Sequence, residues 1–290
     1  MRIKIISDST SNLTPEQAAK YSIDIIPANV VLDNEEILDD GTLQPLEYYA
    51  RIDKANRSYT SVPSTQIIWE VFEKNKEYDH LLIINVSAKL SGFYSASSTT
   101  AKQFKKENPD GPEITIYDSK GVSIFLGTIA IKAAQLVNKG YSVKKIIKLL
   151  DKFRDDDLRV WLTVSDLKKL FEGGRISRFR YLLADLIHAY PIFSLVDGEL
   201  DLVDKDIGFE RTTNRIFKNI EDFYNKNDEV FLWIGKTIPR ENQEYFLDKA
   251  KGITSPKIIG MEEFFVGSII CCHTGSGVYG VITARNFELD

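Results

Sequence analysis

Two stretches gather small hydroxyl side chains. In "SYTSVPST", Ser58 to Thr65, every residue except Val62 and Pro63 carries a hydroxyl, and "SAKLSGFYSASSTT" adds Ser87, Ser91, Ser95, Ser97, Ser98, Thr99 and Thr100. If Thr60, Ser61 and Ser64 lie in the loop before one helix, and Ser91-Gly92 opens another, both groups sit at helix N-termini. There, free amides and a partial positive charge favour an anion. No G-x-x-x-x-G-K-[ST] loop occurs, and hydroxyl and amide donors suit one carboxylate better than a triphosphate. The plainer reading is that these serines only cap helices. The residues alone leave an anion seat and simple capping both open.

The other reactive types are sparse. Three histidines occur: His80 before a strand, His188 on an amphipathic helix face, and His273 in "CCHTGSG" beside Thr274 and a glycine-rich turn that could bring it to a cleft. A Ser-His-Asp hydrolase of the nucleophile-elbow type would need G-x-S-x-G, which is absent. Scattered histidines without close carboxylate or thiolate spacing predict no metal site. Asp8 in "SDST" lacks the second aspartate of a phospho-aspartyl pattern, and both it and Asp118 in "YDSKGVS" read as Asx turns or as ligand-facing strand ends. "GSGVYG" matches G-x-G-x-x-G, but only ten residues follow Gly280, so the glycines predict a tight turn rather than a dinucleotide site. In "FEGGRIS", Gly173-Gly174 suits a helix C-cap, and Arg175 is either presented to an anion or partner, or is an ordinary surface arginine.

The elements that must position these residues follow a repeating order. With 290 residues, 43% apolar and 27% charged, the chain is globular and long enough for two domains. A net charge of −5 gives no general pull toward nucleic acid or anionic membrane. "MRIKIISDST" turns polar too early for a signal peptide, and no apolar run reaches a membrane span. The only cysteines, Cys271 and Cys272, are adjacent, which excludes a disulfide framework; a cytoplasmic chain is expected. "IKII", "IDIIPANVVL", "LLIINV" and "EITIYDS" read as extended segments, with Pro27 interrupting the second. Helices are expected after Thr14 as a capping box, after Ser64 or Thr65, from Ser91-Gly92, through Ala133 to near Gly140, and after Ser142. The acidic turn in "DKFRDDDLRV" marks a boundary, giving domains 1–157 and 158–290. Beyond it come "RVWLTV", a helix into Gly173-Gly174, a helix "YLLADLIHAY", and a hairpin at Asp197-Gly198. A helix from Phe209 to Lys226, "VFLWIG", a helix from Pro239 to Lys251 and "KIIGM" complete a second α/β unit.

Taken in order, "SDSTSNL", "TSVPST", "SAKLSGFYSA", "DSKGVS", "LKKLFEGGRIS" and "CCHTGSG" resemble the DegV family of fatty acid-binding proteins, which includes the FakB subunits of bacterial fatty acid kinase. The resemblance implies two α/β domains, a mainly parallel sheet in the first, and a ligand tunnel between them holding one long-chain fatty acid. It implies a carboxylate held by Thr60, Ser61, Ser91 and Gly92, with His273 and Thr274 in the same network, and Arg175 near the head group or the kinase. It also implies a non-catalytic, cofactor-free carrier that presents its ligand to an ATP-dependent kinase subunit, and then carries the acyl phosphate toward phospholipid synthesis, with an acyltransferase at the membrane as a further partner. The alternative is a small-molecule phosphotransferase or hydrolase using Asp8, Ser91 and His273. The sequence departs from the family pattern at Val62, Phe93, Tyr190 and Cys271-Cys272, where Gln, Thr, Lys and small residues are usual.

Overall fold

The computed structural model describes residues 1–176, 189–237 and 241–289. The chain forms two compact units, Met1–Gln44 with Asn56–Asp156, and Pro45–Ala55 with the chain from Asp157 onward.

In the first unit, β1 (Ile3–Asp8) leads through a short 3-10 turn (Ser9–Ser11) to α1 (Pro15–Lys20). The Thr14 hydroxyl accepts from the Gln17 amide while the Gln17 side chain accepts from the Thr14 amide, the expected capping box. Pro27 does interrupt the next apolar run: β2 (Ile23–Ile26) pairs with β1, whereas β3 (Asn29–Leu32) pairs elsewhere, with β4 (Glu35–Leu38). The chain then lends α2 (Pro45–Lys54) to the second unit and returns as β5 (Ser58–Ser61), α3 (Thr65–Lys74) and β6 (His80–Asn85). α4 (Phe93–Glu107), β7 (Glu113–Asp118), α5 (Ile124–Asn138) and α6 (Val143–Lys152) follow. Strands β2-β1-β6-β7 form a wholly parallel sheet, and β4-β3-β5 a small antiparallel one. β6 is buried from Leu81 to Asn85, as a central strand covered on both faces should be. α5 is apolar nearly all round and buried over most of its length. It comes so close to the Ser9–Ser11 turn that a Cβ on Gly127 would lie 2.6 Å from the Ser11 carbonyl oxygen.

The acidic run expected as a turn is a π-helical turn, Phe153–Asp157. The second unit then continues with β8 (Leu158–Val164), α7 (Leu167–Glu172), β9 (Ala189–Val196), β10 (Glu199–Ile207), α8 (Phe209–Phe223), β11 (Glu229–Lys236), α9 (Glu241–Lys251), β12 (Lys257–Phe265), α10 (Ser268–Thr274) and β13 (Val278–Arg285). Its six-stranded sheet has the order β10-β9-β8-β13-β11-β12, mostly antiparallel with β11-β12 parallel. Asp197 and Gly198, at φ +48° and +83°, close the β9–β10 hairpin as their sequence demands. One face of the sheet packs Trp161, Ile192, Leu232, Ile234 and Val281 against Phe217, Ile220 and Phe246 of α8 and α9. Of the helix expected over "YLLADLIHAY", Tyr181 to His188 lie outside the described residues, and its last two residues, Ala189 and Tyr190, are instead the start of β9. Pro239, the expected start of α9, is also outside them.

Asp24, on β2, shows how the first unit holds charge near its edge. Lys4 Nζ lies 2.7 Å from one carboxylate oxygen, and Lys74 Nζ and Asn75 Nδ2 lie 2.9 and 3.0 Å from the other. Burial would raise this carboxyl, but the bonds from Asn75, Lys4 and Lys74 outweigh it and hold Asp24 at about 2. A folded-state value below the unfolded one makes the contribution full above about pH 4 and lost as pH falls toward 2. Asp24→Asn is expected to cost about 1 kcal/mol at neutral pH, allowing for solvent screening. In urea titrations the gap between wild type and variant should close as the pH drops through that window; a gap constant with pH would show that the ion pairs contribute nothing.

Candidate functional site

In the first unit the chain leaves β1 toward β2 on one side, while β6 lies on the other. Loops after β1 and β6 therefore diverge at a topological switch point, where open α/β sheets present a crevice. Asp8 ends β1 there, with no exposed surface. Its Oδ1 accepts from the Thr10 amide (3.1 Å) and the Thr10 hydroxyl, and its Oδ2 from Asn85 Nδ2 (3.0 Å) and the Val86 amide (2.8 Å). Burial raises its pKa more than these four donors lower it. Both oxygens are thus engaged in hydrogen bonds, the Thr10 amide closing the Asx turn expected at Asp8. Asp118 is the same kind of residue: its Oδ1 accepts from the amides of Lys120 (2.8 Å) and Ala88 (3.3 Å).

These carboxylates fix the loop that carries Ser91. Three successive amides of that loop have partners: Val86 on Asp8, Ser87 on the Gly121 carbonyl (2.9 Å), and Ala88 on Asp118. The Ser87 carbonyl then accepts from the amides of Leu90 and Ser91 at 3.0 and 3.1 Å. Gly92 is the N-cap of α4, and Ser91 Oγ accepts from the Phe93 amide at 3.2 Å. Ser91 is half-buried and Gly92 exposed.

The other hydroxyl stretch corrects one expectation. Thr60 and Ser61 do not lie in a loop at a helix N-terminus; they end β5, opposite Val30 and Asn29 of β3. Strand alternation sets the Thr60 and Ser61 side chains on opposite faces. Only Ser64 caps α3, its hydroxyl accepting from the Ile67 amide at 3.4 Å. The two stretches are nonetheless neighbours: a Cβ on Gly92 would lie 3.5 Å from Val62 Cγ2. The fold thus brings together Thr60–Val62 and Ser91–Gly92. Two other hydroxyls of the second stretch are turned inward: Ser97 is fully buried, and the Thr100 hydroxyl donates to the Ala96 carbonyl. Phe93, where the family pattern has Thr, is buried in the core.

In the second unit, α10 carries Cys271, Cys272, His273 and Thr274 and ends at Gly275, at φ +75°. The sequence reading saw only the glycine turn here, because a seven-residue helix has no periodicity to detect. Both cysteines are buried and neither is in a disulfide, and burial pushes the Cys271 thiol up. The Thr274 hydroxyl lies 3.0 Å from both the Ile270 and Gly275 carbonyls, so its one proton serves either inside the turn. α2 braces this region. Tyr48 and Tyr49 hydroxyls donate to the Val266 carbonyl at 2.6 and 2.7 Å, and Ser276 donates to Asp53 at 2.7 Å. His273 is half-buried, and Arg175, after the α7 C-cap, is exposed with Nη1 3.2 Å from His273 Nδ1. Burial, and then the Arg175 charge, lower His273 to about 4. Elsewhere, His80 Nε2 meets the Thr115 hydroxyl at 2.8 Å, and Tyr190 packs edge-on against Phe209, which accounts for an aromatic at that position. His188 lies outside the described residues. Among the described residues, no group of three His, Cys, Asp or Glu could hold a metal ion, and no helix is long and apolar enough to cross a membrane.

The architecture is therefore that of a two-unit α/β protein whose strand ends carry neutral hydrogen-bonding loops. The model of the DegV family of uncharacterised proteins matches residues 2–286, and the chain belongs to that family. A DegV domain-containing protein of Staphylococcus aureus is 27% identical over 290 residues, covering 97% of this chain and 98% of that protein. Among solved structures, the fatty acid-binding DegV family protein of Thermus thermophilus is 23% identical with a TM-score of 0.88, covering 98% of this chain and 100% of that one. DegV of Bacillus subtilis, a fatty acid-binding protein, is 23% identical with a TM-score of 0.87, covering 99% and 100%. A stearic acid-binding protein of Eubacterium ventriosum is 21% identical with a TM-score of 0.86, covering 98% of each chain.

Asp8→Ala would leave the Val86 and Thr10 amides and the Asn85 side chain short of their buried acceptor. A stability loss of about 3 kcal/mol is expected in urea unfolding. A loss below about 1 kcal/mol would mean that other contacts hold the Ser87–Gly92 loop.

Proposed function

We propose that this protein is a cytoplasmic, non-catalytic carrier that binds one long-chain fatty acid through Thr60, Ser61, Ser91, Gly92, His273 and Thr274. It presents the carboxylate to a separate ATP-dependent kinase subunit, and the resulting acyl phosphate then passes toward phospholipid synthesis through an acyltransferase at the membrane surface. Arg175 stands near the head group or the kinase contact. The observation that carries the reading is the approach of Val62 to Gly92, which sets two hydroxyl-bearing segments side by side on a pinned loop. Fatty acid binding by several members of the same fold supports it. So does the engagement of both Asp8 oxygens in hydrogen bonds that hold the strand ends, which suits a supporting role better than a reactive one.

The energetics assign distinct roles to tail and head group. Burying about fourteen methylenes at ~0.8 kcal/mol each gives a gross gain of about 11 kcal/mol. Each neutral hydrogen bond to the carboxylate adds about 1 kcal/mol net. The tail supplies most of the affinity, and the hydroxyls fix the direction in which the acid lies. Neutral donors also leave the oxygen more nucleophilic than a bidentate arginine would, which suits attack on a phosphate.

Denaturing extraction followed by lipid mass spectrometry should recover a long-chain fatty acid in equimolar amount with the chain. Thr60→Ala and Ser91→Ala should each weaken oleate binding about fivefold, and should depress acyl phosphate formation when a kinase subunit is supplied. Recovery of no lipid, with none taken up on incubation, would overturn the carrier reading. Turnover of ATP or an ester by the chain alone would replace it with the enzyme reading.

A further inference from the structure

The contact between Arg175 and His273 fixes more than proximity. Arg175 Nη1 lies 2.7 Å from the Gly173 carbonyl oxygen and 3.2 Å from His273 Nδ1. A guanidinium has donors only, so Nδ1 must be the acceptor. A neutral imidazole carries its proton on one nitrogen, which leaves that proton on Nε2. The backbone is built for this approach. A Cβ on Gly173 would lie 2.7 Å from the His273 carbonyl oxygen and 3.1 Å from its Cα, and Gly174 turns at φ +76°. Both glycines of the "GGR" turn are therefore needed to bring the guanidinium back onto the ring.

We propose that Arg175 is a positioning residue for His273, holding the imidazole neutral with its proton on Nε2, so that His273 serves as a hydrogen-bond donor and not as a base. The use of that donor in ligand binding rests on the carrier reading above; the tautomer does not. Burial first, and the guanidinium second, disfavour the imidazolium. Protonating Nδ1 would also set two N–H donors against each other. Among the described residues, charged groups beside α10 include Asp166, the N-cap of α7, and Lys169 of α7, next to Gly275, and Asp53 of α2, bonded to Ser276. Arg175 is bonded to the imidazole. An N–H donor beside a guanidinium selects an anionic acceptor, so a free carboxylate is preferred to its uncharged ester.

The test is nitrogen NMR of histidine in the full chain, labelled with 15N and stripped of lipid. With three histidines in the chain, His273→Asn assigns the signals. The expected spectrum shows an unprotonated Nδ1 and a protonated Nε2, with no titration between about pH 8 and about pH 5. Arg175→Ala should mix the tautomers and move the titration up toward the ordinary histidine range, and Arg175→Lys, which keeps a donor, should restore part of the original pattern. A proton on Nδ1 in the wild type, or spectra unchanged by Arg175→Ala, would overturn the assignment. With oleate and methyl oleate as probes, Arg175→Ala should weaken oleate about fivefold and the ester little. Unaltered oleate affinity beside a shifted tautomer would overturn the binding role. Failure of the wild type to bind oleate would instead sink the carrier reading, with the tautomer result deciding the Arg175 assignment by itself.

Discussion

A carboxylate with no exposed surface, surrounded by four donors, organises the first unit. Asp8 cannot be solvated, so its acceptor capacity must be met by protein, and the donors that meet it belong to two different strand ends. The consequence is mechanical. Val86 is the first residue after β6, and fixing its amide fixes where the loop toward Ser91 begins. Asp118 does the same one step later through Ala88. Two aspartates that could pass for reactive groups in the sequence therefore act as supports, and the loop they help to place carries the Ser91 hydroxyl.

The second unit solves the same problem with a borrowed element. The turn at Thr274–Ser276 is short and glycine-rich, which gives it little rigidity of its own. α2 supplies the rigidity from far earlier in the chain: two tyrosine hydroxyls converge on the Val266 carbonyl just before α10, and Asp53 accepts from Ser276 just after it. Lys169 Nζ adds a contact from α7 to the Ile52 carbonyl. His273 thus sits on a segment clamped at both ends, and its ring is set by Arg175 from a third direction.

Much of this was legible in the sequence where the signal was local. The capping box at Thr14, the Asp197-Gly198 hairpin, the continuous apolar run of β6 and the interruption at Pro27 each follow from a physical rule acting over a few residues. What was not legible depends on partners distant in the chain. Ser58–Ser61 reads as a polar loop because its hydroxyls hide its strand character, and only pairing with β3 makes it a strand. α2 is amphipathic but carries no mark of which sheet it packs against. Similarly, "GGR" announces a sharp turn, yet nothing in its neighbourhood reveals that the turn closes on a histidine 98 residues later.

The chemistry of the candidate groups has a common character. Thr60, Ser61, Ser91 and Thr274 are neutral, and His273 is kept neutral by burial and by the guanidinium beside it. Under the proposed reading, a bound carboxylate would meet donors that orient it without cancelling its charge, and the Arg175 guanidinium would be partly spent on Gly173 and His273. Under that reading the distinction matters, because the carboxylate oxygen would later react. A bidentate arginine holds a carboxylate by withdrawing the electron density a nucleophile needs, whereas single bonds from hydroxyls and one imidazole N–H are each weak enough to rearrange. Under the same reading, grip has to come from the apolar tail, so that the ligand is held firmly while its head group stays free to take up a phosphate.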